Sequence, residues 1–427
     1  MQKQKFTHFI EKKEEGSYIK IPFEVPSDID KLIIEYDYPR YVDHTTEGFF
    51  KKEEVSVIDF GLYSNRGFIG ASGSNRQRIE ISSHSDPGFA NVNIESGEWY
   101  ILVGAYKIEP SGVEVHYSIT FIEKERTLYK GDTHTHTVSS DGSYTYGELL
   151  EKADKEGLDF LILSDHNNFT QNQEITGREK LTVIPGTEWT HYKGHANLIG
   201  SKQAIKDPFV VKDIADMHEL LTEARENGAA VSVNHPFCAY CGWEWDLNNT
   251  SFDLIEIWNG GIMPDSNKQA LEWWGKQLNL RRKIVATAGS DFHKVQGLRN
   301  LGQPVLGVWA FSNNSYDLLS SIKKGHTYLS YAIEAPSILL KAEDGIQGDT
   351  ISSKKVSFTV ENLKKGDLLY FITDQDSEIV TIENNVDQLI VNKEFSNVLY
   401  TRMEIYRKPF SDSLKMPISL SNPIYFK

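Results

Sequence analysis

Two histidines, His134 and His136, stand two residues apart in the segment GDTHTHTVSSD at 131–141, and Asp141 follows five residues after the second. On a β-strand, side chains two apart point to the same side of the sheet, so both imidazoles can reach one ion. Imidazole nitrogens and carboxylate oxygens bind divalent ions such as zinc, manganese and iron. An isolated pair of this kind is more often a surface feature, so its meaning depends on the rest of the chain.

Later segments end in the same way, with a histidine or an acid just after a predicted strand. These segments are SDHN at 164–167, PGTE at 185–188, GH at 194–195, NHP at 234–236 and GSDFH at 289–293. The ends of parallel strands converge on one rim, and so many ligands suit two or three divalent ions of the zinc, manganese or iron kind rather than one. The alternative, that each histidine is a satisfied core residue, is a poor explanation for six of them after strand ends. The predicted metal ligands are His134, His136, Asp141, His166, Glu188, His195, His235, Asp291 and His293.

Strand and helix patterns alternate from about residue 126 to 333 and would position these ligands. Thr145 and Glu148 fit a capping box at the start of a helix that Gly157 ends. The apolar run LDFLIL at 158–163 is typical of a buried parallel strand. Repeated strand–helix units predict a parallel sheet that closes into an α/β barrel. Further strands are predicted at 181–184, 229–233, 254–258, 284–288 and 305–311, and further helices at 213–227, 267–280 and 316–324.

Residues 1–125 and 334–427 show a different pattern, of short alternating strands separated by Gly, Pro, Asn and Ser. This spacing predicts an N-terminal β-sandwich or jelly roll and a small C-terminal β-sandwich of immunoglobulin-like size. We expect these domains to act in packing or in forming a homo-oligomer. Carbohydrate binding is a weaker alternative, because it depends only on analogy with other such folds.

The chain of 427 residues carries 60 acidic and 45 basic side chains, which gives a net charge of −15. This balance disfavours extended nucleic-acid binding, which needs a basic surface, but it permits a small-molecule substrate held by metal ions. No apolar run is long enough to span a membrane, and the N-terminal segment lacks the apolar core of a secretory signal. We therefore expect a cytoplasmic protein without a membrane partner.

The only cysteines, Cys238 and Cys241, form a CxxC motif. Its functional interpretations are a redox pair or half of a zinc knuckle. A knuckle needs a second cysteine pair, which the sequence lacks, and no thioredoxin-like context surrounds the motif. We predict two reduced, packed thiols.

The order HxH, SDG, SDHN, PGTE, GH, NHP and GSDFH resembles the polymerase and histidinol phosphatase (PHP) superfamily, and within it the carbaryl-hydrolase-like (CehA/McbA) branch. The resemblance covers residues 127–331 and implies a distorted seven-stranded β/α barrel with a two- or three-metal site. Some relatives have a histidine in the place of Asp141, so the third ion is the part of the site that the resemblance defines least. The implied ligands are His134, His136, Glu188 and Asp291 for a first ion, Glu188, His195 and His235 for a second, and Asp141, His166 and His293 for a third.

Such a site implies a metal-dependent hydrolase. Two neighbouring ions lower the pKa of a bridging water and generate hydroxide near neutral pH, and the hydroxide attacks a phosphorus atom or a carbonyl carbon. The leading interpretation is the hydrolysis of a phosphomonoester or phosphodiester. The alternatives are hydrolysis of a carbamate, ester or amide, and a non-catalytic binding protein.

Three side chains are predicted to take part in the reaction, two of them in addition to the metal ligands. Glu188 is the bridging ligand, and Asp165 is either an orienting residue behind the ligand histidine or a proton shuttle, with the first favoured. Arg299 is the best candidate for binding a substrate anion. Weaker candidates are Lys193 and Lys294 for the anion and His191 as an alternative ligand.

Several tryptophans lie in the same part of the chain and either line the mouth of the site or pack in the core. Core packing is the expected role for most of them. They are Trp243, Trp245, Trp258, Trp273 and Trp274.

Overall fold

The computed structural model describes residues 2–46, 49–82, 85–201, 207, 209–260, 264–295 and 300–427. The chain divides into two compact units, Met1–Glu125 and Arg126–Lys427. The predicted anion-binding residue Arg299 lies outside the described residues. Among the described residues, no helix combines the length and the apolar character needed to cross a bilayer.

The first unit is built from antiparallel strands, as its alternating pattern predicts. Two four-stranded sheets, ordered β1-β10-β3-β8 and β2-β9-β6-β7, contribute to one apolar core, and β4 pairs with β5. In β3, Leu32, Ile34 and Tyr36 are buried while the residues between them are more exposed, because side chains alternate across a strand. The strands are β1 Gln2–Ile10, β2 Tyr18–Val25, β3 Ile29–Asp37, β4 Tyr41–Thr46, β5 Phe49–Glu54, β6 Val57–Ser64, β7 Gly67–Ser72, β8 Arg78–Ile81, β9 Gly97–Lys107 and β10 Val113–Glu123, with a 3₁₀ turn at Lys12–Glu14.

The second unit mixes strands with a few helices. Its helices are α1 Tyr146–Lys155, α2 Ile214–Glu226, α3 Pro264–Asn279, α4 Ser315–Lys324 and α5 Phe410–Leu414, with a 3₁₀ turn at Thr170–Glu174. Its strands are β11 Thr127–Thr135, β12 Phe160–Leu163, β13 Thr182–Ile184, β14 Glu188–His191, β15 Gly194–Ile199, β16 Ala230–Val233, β17 Leu254–Asn259, β18 Val285–Gly289, β19 Val305–Ala310, β20 Thr327–Ser330, β21 Ser337–Ala342, β22 Gly345–Ile346, β23 Thr350–Ile351, β24 Lys355–Leu363, β25 Leu368–Thr373, β26 Ser377–Thr381, β27 Val386–Glu394, β28 Tyr400–Tyr406, β29 Ser419–Ser421 and β30 Ile424–Phe426.

The start of α1 confirms the predicted capping box. The Thr145 side chain accepts from the Glu148 backbone N–H, and the Glu148 carboxylate accepts in return from the Thr145 N–H at 2.9 Å. Gly157 follows the helix with a φ of 77°, a left-handed conformation that favours glycine. The helix is thereby fixed between two strands that lead to predicted ligands.

The strands that carry the predicted ligands form two sheets. One has the order β14-β15-β16-β17-β18, and the other begins β13-β12-β11-β19-β20. Parallel pairs join β11 to β12, β12 to β13, β16 to β17 and β17 to β18, whereas β14, β15 and β16 pair antiparallel. The prediction of a closed parallel barrel is therefore not confirmed, because these sheets are not closed. Isolated bridges between Thr135 and Phe292 and between His166 and Glu188 connect them, and both bridges fall where polar ligand segments interrupt regular pairing.

The second sheet continues from β20 through β29, β28 and β25 to β26. Residues predicted to form a separate C-terminal domain thus extend the sheet that contains β11, and the domain boundary at 333 stays a prediction. The Asn422 side chain, next to β29, donates to the Ala286 carbonyl and accepts from the Ala286 N–H, both at 2.9 Å. It therefore contacts β18, the last strand of the other sheet.

The tryptophans serve mainly as core residues, as expected. Trp243, Trp245, Trp258 and Trp274 are buried in the apolar core of the second unit, and Trp273 packs against it half-buried. The Trp274 indole N–H donates to the Ile284 carbonyl at 2.8 Å. Their burial places these rings in the core rather than at an aromatic entrance.

Candidate metal centre

The predicted ligands are held by strand ends and by the tight turns after them. His134 is in the last part of β11, Glu188 begins β14, and both are fully buried. His235 follows β16 with a φ of 28°, and Asp291 follows β18 with a φ of 52°. Non-glycine residues seldom adopt positive φ, and such strain concentrates at functional sites.

Glu188 lies at the centre of the cluster, and its two carboxylate oxygens face different histidines. Oε1 is 3.1 Å from His195 Nδ1 and 3.4 Å from His235 Nε2. Oε2 is 3.4 Å from His134 Nε2 and 3.5 Å from His136 Nε2. A carboxylate in this position can bridge two ions, one on each side.

A second carboxylate meets the pair of histidines from β11. Asp291 Oδ1 is 3.4 Å from His134 Nε2 and 3.2 Å from His136 Nε2. The ligand atoms of these three residues all lie within 4.8 Å of one another. Within the described residues, neither His134 Nε2 nor either ring nitrogen of His136 makes a hydrogen bond, although all three are buried. Buried polar atoms without partners are costly, and a divalent ion would satisfy them.

The remaining predicted ligands form a more exposed group. Asp141 Oδ1 lies 3.2 Å from His293 Nε2 and 3.5 Å from His166 Nε2. His136 joins the same group, with its Nδ1 at 3.9 Å from Asp141. The Asp141 side chain is 59% exposed, so this is the outer part of the cluster.

Four of the histidines have a partner on Nδ1, and in three of them this partner turns Nε2 towards the cluster. The exception is His166, whose Nδ1 also lies 2.9 Å from Glu188 Oε2. His134 Nδ1 is 3.0 Å from Glu256 Oε1, and His166 Nδ1 is 2.6 Å from Thr190 Oγ1. His293 Nδ1 is 2.9 Å from the Asp291 carbonyl, and His235 Nδ1 is 3.7 Å from Cys241 Sγ. Partners of this kind fix the ring orientation and the tautomer of metal-binding histidines.

Glu256 is a residue of the site that the sequence-based reasoning missed. It lies in β17, where all six residues are buried, and it is only 2% exposed. Its Oε2 accepts from the His235 N–H and from the Asn259 side chain, both at 3.0 Å. An acid inside the apolar run LIEIWN was the available signal, because a buried carboxylate needs partners.

In the metal-free cluster, the contacts between the acids and the imidazoles shift the pKa values of both kinds of group. Burial opposes charge on Glu188 and Asp291, but the imidazoles, His134 first, hold the pKa of each carboxyl well below its usual range. Burial also opposes charge on His134, yet Glu188, Glu256 and Asp291 raise its pKa well above the ordinary value. At His136 burial prevails and lowers the pKa. A bound cation would take the place of the proton on His134, so the nitrogen and oxygen donor set fits divalent metals.

Asp165 lies behind the ligands. Its Oδ1 accepts from the Thr137 N–H and the Ser140 hydroxyl, both at 2.7 Å, and its Oδ2 accepts from the Thr137 hydroxyl at 2.8 Å. The carboxylate is fully buried and holds the turn between His136 and Asp141. This arrangement favours the orienting role over that of a proton shuttle.

The weaker candidates do not join the cluster. His191 Nε2 is 3.2 Å from the Val211 carbonyl, and its Nδ1 accepts from the Lys193 N–H at 3.2 Å, so both nitrogens are occupied. The Lys193 ammonium lies 4.8 Å from the centre of the Trp245 ring. The Lys294 side chain is exposed.

No protein-family model matches the sequence, and no curated protein matches it. Among solved structures, a two-domain protein from Bacteroides vulgatus containing a predicted PHP-like metal-dependent phosphoesterase is 18% identical, and the match covers 70% of this chain and 96% of that chain with a TM-score of 0.40. A candidate metal-dependent phosphoesterase from Bifidobacterium adolescentis is 17% identical over 40% of this chain and 90% of that one, with a TM-score of 0.30. An amidohydrolase from Chromobacterium violaceum with bound sulfate and no metal is 16% identical over 38% and 87%, with a TM-score of 0.30.

Proposed function

We propose that the protein is a metal-dependent hydrolase of the PHP type, whose nine clustered side chains hold two or three divalent ions of zinc, manganese or iron. The observation that carries the proposal is the position of Glu188, whose two oxygens face separate groups of histidines. The same proposal includes membership of the CehA/McbA branch and a distorted seven-stranded barrel. It also includes a division into domains at 1–125, 126–333 and 334–427. We further propose that the N- and C-terminal domains are β-sandwiches, that the protein is cytoplasmic, and that it forms a homo-oligomer through these two domains.

The protein's own residues prepare the site for hydrolysis. When bound, the ions supply a hydroxide near neutral pH and polarise the bond to be cleaved. Glu188 and Asp291 would be the anionic ligands, and their negative charge would offset the charge of the bound cations. Glu256 and Thr190 orient His134 and His166 through Nδ1.

We propose a phosphomonoester or phosphodiester as the substrate. The alternative, a carbamate, ester or amide, would be favoured by an apolar entrance rich in tryptophan. The burial of Trp243, Trp245, Trp258 and Trp274 in the core removes the sequence feature that suggested such an entrance.

Metal content and hydrolysis measured together test this proposal. We would compare the wild type with His134→Ala and with the control His218→Ala, which lies on α2 and outside the clusters. Each protein would be loaded with manganese or zinc and assayed with p-nitrophenyl phosphate, bis-p-nitrophenyl phosphate and a naphthyl carbamate. We expect two or three ions per chain and phosphoester turnover in the wild type and the control. His134→Ala should bind fewer ions and lose turnover. Turnover of the carbamate alone would select the alternative substrate, and bound metal without any turnover would favour a binding protein. A wild type that binds no metal would refute the proposal.

A further inference from the structure

The CxxC motif lies in a closed turn that begins at the predicted ligand His235. The Cys238 N–H donates to the His235 carbonyl, and the Trp243 N–H donates to the Pro236 carbonyl, both at 2.9 Å. A Cβ atom on Gly242 would lie 2.5 Å from the Cys238 carbonyl oxygen, so only glycine allows the turn to close this tightly. The turn holds the two cysteines side by side.

The two thiols are placed for a bond with each other. Their sulfur atoms are 2.6 Å apart, both cysteines are free, and both are half-buried. Two thiolates on one tetrahedral zinc ion, each about 2.3 Å from the metal, would be roughly 3.8 Å apart. A disulfide has a sulfur–sulfur distance of about 2.05 Å. The spacing of this pair is closer to that of a disulfide than to that of a metal chelate.

The thiol pair also contacts the candidate metal centre. Cys241 Sγ lies 3.7 Å from His235 Nδ1, and the opposite ring nitrogen, Nε2, lies 3.4 Å from Glu188 Oε1. His235 is 9% exposed, so its ring has little freedom to find another partner. Cys241 is therefore the neighbour of a predicted metal ligand on the side of the ring that faces away from Glu188.

We propose that Cys238 and Cys241 are a redox modification site, and that their oxidation to a disulfide weakens metal binding through His235. The oxidant is a small-molecule disulfide of the oxidised glutathione class. One cysteine thiolate attacks the small disulfide and releases one small thiol, and the second cysteine then displaces the other, so the protein loses two hydrogens and two small thiols form. The redox step goes beyond the proposed hydrolase, whereas its effect on metal binding rests on that proposal.

Disulfide formation changes the contact between His235 Nδ1 and Cys241 Sγ. In the dithiol state the Cys241 sulfur carries a hydrogen and is free to turn towards the ring. In the disulfide it is bonded to Cys238, carries no hydrogen and cannot donate to the ring. Loss of an outer partner of a metal-binding histidine costs about 10- to 100-fold in metal affinity, and we expect an effect near the lower end because this contact is long.

Thiol counting and a manganese titration test the proposal on the full-length chain. The protein would be incubated with oxidised glutathione or with a phosphine reductant, its free thiols counted and its mass measured. Affinity would then be followed through the electron paramagnetic resonance signal of free manganese(II), an ion with little preference for thiolates. The control is the double variant Cys238→Ser and Cys241→Ser, which keeps the size of both side chains.

We expect the oxidised wild type to lose two thiols without retaining glutathione, and to bind manganese about tenfold more weakly than the reduced form. The double variant should bind manganese equally under both conditions. Free thiols that persist in oxidised glutathione, or a retained glutathione adduct, would overturn the redox site. A disulfide that leaves manganese affinity unchanged would overturn the link to His235. Absence of manganese binding in both states would count against the proposed hydrolase, while the thiol count would still decide the redox step.

Discussion

The substitution Glu256→Gln would test how the protein orients its metal ligands. Glu256 accepts three hydrogen bonds in a buried position: Oε1 from His134 Nδ1, and Oε2 from the His235 N–H and the Asn259 amide, all at 3.0 Å. Glutamine has the same shape but only one accepting atom. If its oxygen faces His134, its NH₂ group meets two donors, and if it is flipped, the NH₂ group meets His134. Either orientation leaves a buried donor without an acceptor.

The expected magnitude follows from these contacts. One buried donor without a partner costs about 1–3 kcal/mol in stability. Loss of the carboxylate behind His134 should lower metal affinity by about 10- to 100-fold, which corresponds to roughly 1.4–2.8 kcal/mol. The loss should concern the ion held by His134 and Asp291 more than the outer group around Asp141.

Calorimetric titration of the metal-free protein with manganese, together with urea unfolding, would measure both quantities. The matched control is Glu272→Gln on α3, where the carboxylate is 56% exposed and 3.7 Å from Lys268; it should change neither. If Glu256→Gln bound manganese within twofold of the wild type, the proposed orientation of His134 by Glu256 would be refuted. A loss in stability alone would show that Glu256 is only a structural acceptor.

Three further predictions concern the same region. Gly289→Ala should destabilise the protein by about 1–3 kcal/mol in urea unfolding and weaken manganese binding, because the new Cβ would lie 2.4 Å from His134 Cβ. The control is Gly147→Ala, where no atom lies within 4 Å of the new Cβ. Equal behaviour of the two variants would contradict the reasoning. Asp165→Asn should lower stability and metal affinity but leave the shape of the pH–rate profile unchanged, whereas loss of one limb of that profile would indicate a proton shuttle. In the chelator-treated protein, the pKa of Glu188 lies below its ordinary 4.5 and the pKa of His134 lies above its ordinary 6.5. Glu188 therefore stabilises the fold above pH 4.5 and loses this effect in acid. His134 stabilises the fold below pH 6.5 and loses this effect as the pH rises through its raised pKa. The melting temperature should therefore be highest between these two pH values, and a steady rise towards alkaline pH would contradict it.

The sequence allowed the cluster to be predicted because the ligands lie at the ends of recognisable strands or in the turns next to them. The run LDFLIL and the capping box at Thr145 fix the positions of β12 and α1 within a residue or two. All nine predicted ligands lie in groups of donor atoms within 4.8 Å of one another. Local patterns suffice for such residues because strand ends and turns are encoded locally.

Features that depend on distant partners could not be predicted in this way. Glu256 looks like one polar residue in a strand until the fold brings it to His134, 122 residues earlier. The open sheets depend on which strands pair at their edges, and alternation within one strand does not specify its neighbour. The pairing of β20 with β29 joins segments that the sequence pattern assigns to different domains.

The contact between Asn422 and Ala286 has a consequence for the assembly of the second unit. The amide group of Asn422 makes the two hydrogen bonds that a neighbouring strand would make. It accepts from the N–H of Ala286 and donates to its carbonyl, 136 residues away in the chain. During synthesis β18 emerges long before Asn422, and until then this part of the strand that leads to Asp291 has backbone groups open to pairing with another chain. Contacts over such a separation form late, because much of the chain must be ordered first. The backbone groups of Ala286, on the strand that leads to the candidate metal centre, are therefore satisfied only after Asn422 has been synthesised and has folded into place.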